Sequence, residues 1–126
     1  VGIVTADQTG NIWLRCDSGL TRFNTNDFTG KYFQQSPFSN SFKLGNVTDI
    51  KNVNDVLFVT CDAGLVEINL KHKTDKLLLS PSSIHAAERI PFFQKVLPLS
   101  NRHFAIGTNI GLLLFDENTN NISFYH

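Results

Sequence analysis

Asn11-Ile-Trp-Leu-Arg-Cys-Asp-Ser-Gly-Leu-Thr-Arg-Phe-Asn24 occurs three times in this chain, each time more loosely. It returns as Val56-Leu-Phe-Val-Thr-Cys-Asp-Ala-Gly-Leu-Val-Glu-Ile-Asn69 and again as His103-Phe-Ala-Ile-Gly-Thr-Asn-Ile-Gly-Leu-Leu-Leu-Phe-Asp116. The step from Gly19 to Gly64 is 45 residues, and from Gly64 to Gly111 it is 47. A repeat of that length, made of strands and turns, predicts the blades of a β-propeller.

Working outward, each unit reads as four antiparallel strands, A to D. The first has A at 2–6, B at 12–16, C at 20–24 and D at 31–35. The second has A at 47–51, B at 56–60, C at 65–69 and D at 76–79. The third has A at 94–99, B at 103–107, C at 112–116 and D at 122–125. The fold class is all-β: three four-stranded antiparallel blades of a β-propeller, about 1–35, 47–79 and 94–126. Trp13, Phe58 and Ala105 superimpose, as do Leu20, Leu65 and Leu112, then Phe23, Ile68 and Phe115, then Tyr32, Leu77 and Phe124. In strand A, Val4, Ile50 and Leu97 align, which makes the A–B turn one residue shorter in units two and three. Gly19 is expected to give the B–C hairpin a positive φ. Pro98 is tolerable because strand A is an edge strand, and Pro37 and Pro81 are expected to end strand D. Runs such as Leu112–Phe115 are apolar throughout, as suits sheets packed on both faces.

Known propellers close with about 4–8 blades, so three form an incomplete ring with an apolar face open at each end. The chain also lacks Met, and the expectation is a fragment of a larger propeller. Its partners are then the remaining blades of the same propeller or other copies of this chain.

The charge balance narrows the function. There are 11 Lys and Arg against 11 Asp and Glu among 126 residues. A net charge of zero gives no basic face for nucleic acid. The apolar runs are too short to span a bilayer, so a membrane enters only through a longer protein. Cys16 and Cys61 hold equivalent places in adjacent repeats. Such places lie beyond the ~7 Å Cα reach of a disulfide, and both read as small buried hydrophobes. The four histidines are scattered, no Cys-x-x-Cys is present, and no metal or other cofactor is expected.

No catalytic motif stands out: there is no Gly-x-Ser-x-Gly, no His-Glu-x-x-His and no phosphate loop. The D–A links, 36–46 and 80–93, fall on one rim with the B–C turns 17–19, 62–64 and 109–111. Arg15, Asp17 and Asp62 lie there at the ends of B strands, and such multidentate polar groups bind carbohydrate when an aromatic platform is near. Phe38, Phe42 and Phe92 or Phe93 are candidate platforms. The alternative is that Asp17 and Asp62 only shape their turns. His85, Glu88 and Arg89 form a polar cluster in the second link, which reads either as a ligand-facing group or as a solvated turn over 84–89. Trp13 reads as a wedge between blades.

The stretch Asp7-Gln-Thr-Gly-Asn-Ile-Trp-Leu-Arg-Cys-Asp-Ser-Gly-Leu-Thr-Arg-Phe-Asn24, followed by Gly30-Lys-Tyr-Phe33, resembles the two-component regulator propeller repeat. Units two and three match its core at Phe58–Asn69 and Ala105–Asp116, without the Trp. In that family such repeats form the periplasmic sensor region of hybrid two-component sensor kinases of Bacteroidetes. The resemblance implies a non-enzymatic sensor segment, a periplasmic location and an oligosaccharide ligand. Two other readings stand beside it. Streptogramin lyases carry similar Gly-Asn-Ile-Trp repeats but use a catalytic His and a metal, and His103 opens strand B on the rim opposite the long links. A generic protein-interaction propeller is the other.

Overall fold

Asn24, Asn69 and Asp116 close the third strand of each unit, and their side chains shape the turn that follows. Asn24 Oδ1 accepts the N–H of Asn26 at 2.8 Å, Asn69 Oδ1 that of Lys71 at 3.1 Å, and Asp116 Oδ1 that of Asn118 at 2.9 Å. Each turn then passes through a left-handed residue, Phe28, Lys73 or Asn120, with φ of 59°, 55° and 61°. The A–B turns end in the same way, at Gly10, Asp55 and Arg102, with φ of 88°, 64° and 61°. One bond ties the two turns in every unit: Thr25 N–H to Gly10 O, Leu70 N–H to Asp55 O and Glu117 N–H to Arg102 O, each 3.0 Å. The three units therefore share hydrogen bonds as well as a sequence pattern.

The computed structural model describes residues 4–84 and 89–125. Blade 1 is β1 (Val4–Ala6), β2 (Asn11–Cys16), β3 (Gly19–Asn24) and β4 (Thr29–Phe33). Blade 2 is β5 (Val47–Val53), β6 (Val56–Cys61), β7 (Gly64–Asn69) and β8 (Thr74–Leu79). Blade 3 is β9 (Phe93–Pro98), β10 (His103–Thr108), β11 (Gly111–Asp116) and β12 (Asn121–Tyr125). Each is a four-stranded antiparallel sheet whose spatial order follows the chain. Single 3₁₀ turns at Pro81–Ser83 and Ser100–Arg102 are the helical elements among the described residues.

Blade 2 is the middle of the stack and is apolar on both faces. Leu57, Val59, Val66 and Ile68 pack towards blade 1, against Trp13, Leu20 and Leu44. Phe58 and Leu65 pack the other way, against Phe93, Val96, Phe104, Ile106, Leu113 and Phe115 of blade 3. Odd and even residues of β6 thus serve different cores, as the two-residue period of a strand dictates. Trp13 is the wedge that its sequence position suggested: it is buried, stacks on Phe33 at 5.9 Å, and donates its indole N–H to Asp7 Oδ2 at 3.1 Å.

Strands B, C and D superimpose as the sequence predicts, but strand A of unit three does not. Val4 pairs with Leu14, Ile50 with Val59 and Val96 with Ile106. The residue equivalent to Val4 and Ile50 is Val96, not Leu97. The A–B connection of unit three is therefore as long as that of unit one, and only unit two is shorter. The register follows burial, since Val96 is 2% exposed and Leu97 56%. Pro98 does lie on the edge strand of its sheet.

The expected positive φ is found at Gly64 (131°) and Gly111 (150°), but Gly19 has a different reason. In the first B–C turn the left-handed residue is Ser18, φ 63°. Gly19 is needed for clearance: a Cβ there would stand 2.1 Å from the Phe33 carbonyl oxygen, and one at Gly64 would stand 2.0 Å from that of Leu79. Strand D of unit one ends at Phe33, before Pro37 is reached. Gln35 bridges to Lys43, and Leu44 N–H bonds Gln34 O at 2.9 Å, so the first link folds back on itself. In unit two β8 ends at Leu79, and Pro81 opens the 3₁₀ turn.

Candidate functional site

On the rim formed by the B–C turns and the ends of the D–A links, the residue after strand B holds the residue before strand A. Asn46 N–H donates to Asp62 Oδ2 at 2.9 Å, and Asp62 N–H returns to Asn46 O at 3.1 Å. One blade on, Phe92 N–H donates to Asn109 Oδ1 at 2.8 Å, and Asn109 N–H returns to Phe92 O at 3.3 Å. Asp62 thus pins a link. Arg15 is exposed and spans the junction of blades 1 and 2, its Nη1 donating to Val47 O at 3.2 Å. Asp17 is exposed, and its backbone carbonyl accepts the Tyr32 hydroxyl at 2.5 Å.

Between blades 2 and 3 this rim holds a pocket of about 240 Å³, lined by Asn46, Thr48, Asp62, Pro81, Phe92 and Gln94, with Cys61 and Phe93 beneath. Thr48 is already engaged, donating to Phe93 O at 2.7 Å. Asn46 and Gln94 are exposed and bring side-chain amides, each carrying donors and an acceptor. Phe92, 64% exposed, brings an aromatic face. Such a lining matches the groups that hold sugar hydroxyls and the apolar face of a pyranose.

The candidate residues do not all meet. Asp62 and Phe92 lie in this pocket, with Arg15 and Asp17 further along the rim. Phe93 is core, not platform. Phe42 packs against the core of blades 1 and 2. Phe38 is carried to the other end of the blades by the folded-back link. Its N–H donates to Asp75 Oδ2 at 2.7 Å, and its ring lines a cavity with residues of the A–B and C–D turns. Arg89 is exposed, and His85 and Glu88 lie outside the described residues. Asn46 and Gln94 were not singled out as ligand residues, because neither residue type signals binding until the fold sets both beside Phe92.

The Cys61 thiol is pushed up to about 11, chiefly by burial. Burial alone would raise the Asp7 carboxyl, but hydrogen bonds from Thr9, Asn11 and Trp13 outweigh it and hold it below the usual range. His103 lies with Nδ1 3.1 Å from Ser100 O and Nε2 3.4 Å from Asp116. Among the described residues no three His, Cys, Asp or Glu gather as a metal site. No helix there is long and apolar enough to cross a membrane.

The architecture and repeat define three consecutive blades of a β-propeller. No protein-family model matches the chain, and no curated protein matches it. Solved structures do. The extracellular domain of BT3049 from B. thetaiotaomicron, named as a hybrid two-component system, superimposes with a TM-score of 0.79 at 17% identity, over 98% of this chain and 18% of that one. Two structures of the extracellular domain of BT4673 from the same organism give 0.71 and 0.70 at 17% and 16% identity, each over 97% of this chain and 16% of theirs. BT4673 is named as a one-component system in one and a hybrid two-component system in the other. The likeness is one of fold, and this chain spans less than a fifth of each of these three chains.

Proposed function

We propose that this chain is a non-enzymatic segment of an extracytoplasmic sensor propeller, periplasmic in setting, whose ligand is an oligosaccharide. The observation that carries the reading is the likeness over nearly the whole chain to extracellular domains of two-component systems. It agrees with the repeat that the sequence itself resembles. The rim pocket supports the ligand class, because Asn46 and Gln94 offer multidentate amides beside the exposed ring of Phe92. Sensing then consists of binding across a blade junction, where a ligand touching two blades favours one relative placement of them over another.

The test is calorimetric titration of the propeller with a broad glycan set, alongside Gln94→Ala and Phe92→Ala variants. Binding of a neutral glycan, weakened about tenfold or more by either substitution, is the expected result. Binding of no glycan, together with capture of a protein partner, would overturn the sugar reading and favour an interaction scaffold.

A further inference from the structure

The two blade junctions contain the same niche, and only one of them is plugged. At the junction of blades 2 and 3, Arg102 projects from the A–B turn of blade 3 and lies 5.9 Å from the centre of the Phe58 ring and 5.8 Å from that of Phe104. Its guanidinium donates to Glu67 of blade 2 at 2.6 and 3.1 Å and to Glu117 of blade 3 at 2.5 Å. Lys76 stands 3.8 Å from Glu117. The plug is an arginine neutralised by two carboxylates over an aromatic floor.

The repeat identifies the corresponding residues at the junction of blades 1 and 2. Register places Asp55 where Arg102 stands, Arg22 where Glu67 stands, Leu70 where Glu117 stands and Trp13 where Phe58 stands. A short carboxylate replaces the long arginine, and the niche stays open as a cavity of about 320 Å³. Its lining includes Trp13, Arg22, Phe38, Leu70, Lys71 and Lys73. Arg22 lies 5.9 Å from the Trp13 ring centre and 5.6 Å from that of Phe33. Among the described residues it has no carboxylate partner, and neither do Lys71 and Lys73.

The two acidic residues of the lining already accept hydrogen bonds from the turns and from Trp13. Asp7 accepts from Thr9 N–H, Thr9 Oγ1, Asn11 N–H and Trp13 Nε1 at 2.7–3.1 Å. Asp55 Oδ1 accepts Gln8 N–H at 3.2 Å. With Asn52 Nδ2 donating to Ala6 O at 2.9 Å, these bonds tie the A–B turns of the two blades and fix the niche's floor. The cations are not demanded by the turn that carries them. Blades 1 and 3 build the same C–D turn with Asn26-Asp-Phe28 and Asn118-Thr-Asn120, where blade 2 has Lys71-His-Lys73. Lys73 even occupies a left-handed φ of 55°, which suits Asn better.

We propose that the open niche between blades 1 and 2 is a binding site for an oxyanion, a carboxylate, sulfate or phosphate group, anchored by Arg22 and flanked by Lys71 and Lys73. A planar guanidinium stacked on rings binds such groups bidentately. Trp13, Phe38 and Leu70 supply an apolar wall for whatever carries the anion. The site lies on the rim opposite the pocket of Asn46, Asp62 and Gln94 and does not rest on the sugar reading.

Trp13 is the chain's single tryptophan, so its fluorescence reports the niche directly. The protein is titrated with inorganic sulfate and phosphate in one arm and with glucuronate in the other. A saturable change is expected in at least one arm, and the tighter arm tells whether the anion arrives free or on a sugar. Arg22→Gln should weaken it about tenfold or more. Lys71→Asn with Lys73→Asn copies blade 3 on an exposed turn, and should fold at least as stably yet bind about tenfold more weakly. Asp55→Arg with Arg22→Glu and Leu70→Glu transplants the plug and should abolish the response while the circular dichroism spectrum is kept. No saturable change in either arm, or one unaltered in the folded lysine and plug variants, would overturn the proposal.

Discussion

Individual side chains here have unequal work. Cys61 is 2% exposed and its thiol is pushed up to about 11, whereas Cys16 is only half-buried on the open side of blade 1. Both are free. Titration of the folded protein with an aromatic disulfide at pH 8 should label Cys16 and spare Cys61 until denaturant is added. Asp7 gives a pH signature. Its folded-state pKa lies below the ordinary value, so its contribution is fully present above about pH 4 and is lost as pH falls through the folded value. Asp7→Asn should therefore be less stable than wild type at pH 7 by urea denaturation, and the gap should narrow as the pH drops below 4. The sequence placed Asp7 at the head of the repeat, and the structure supplies its job: it holds the turn and orients the Trp13 indole.

Among elements, strands B, C and D were legible because their apolar positions and glycines superimpose over three units. Strand A of unit three was not, because Val96, Leu97 and Leu99 are all apolar and any of them satisfies the pattern. Packing against Phe104 and Ile106 decides for Val96. Val96→Ala should cost about 2 kcal/mol in urea denaturation and Leu97→Ala less than about 0.5 kcal/mol. Equal costs would mean that the register is shifted. The first link was the other illegible element. Its Ser-Pro start reads as a simple strand end, yet Gln35 pairs with Lys43 and the loop carries Phe38 to Asp75. Rim membership inferred from topology alone cannot see such a fold-back. For that reason the rim pocket gathers only part of the residue set that the sequence suggested.

The whole molecule is a stack in which blade 2 is clad on both faces and blades 1 and 3 on one each. Val4 on blade 1 and Leu97, Leu112 and Tyr125 on blade 3 are exposed. Cohesion differs between the junctions. Arg102 clamps blades 2 and 3, and Arg102→Ala should lower stability by about 1–3 kcal/mol, because it leaves Glu67 without its cation and Glu117 with only the exposed Lys76 at 3.8 Å. Blades 1 and 2 are joined instead by Trp13 and by backbone-directed bonds, which leaves room for the anion niche. The layered core tests the account most directly through native-state hydrogen exchange, read amide by amide. Slowest exchange is predicted for β6 and β7, with faster exchange at β1, β4 and β12. Protection spread evenly over the three sheets, or greatest in blade 1 or blade 3, would contradict a stack built around blade 2.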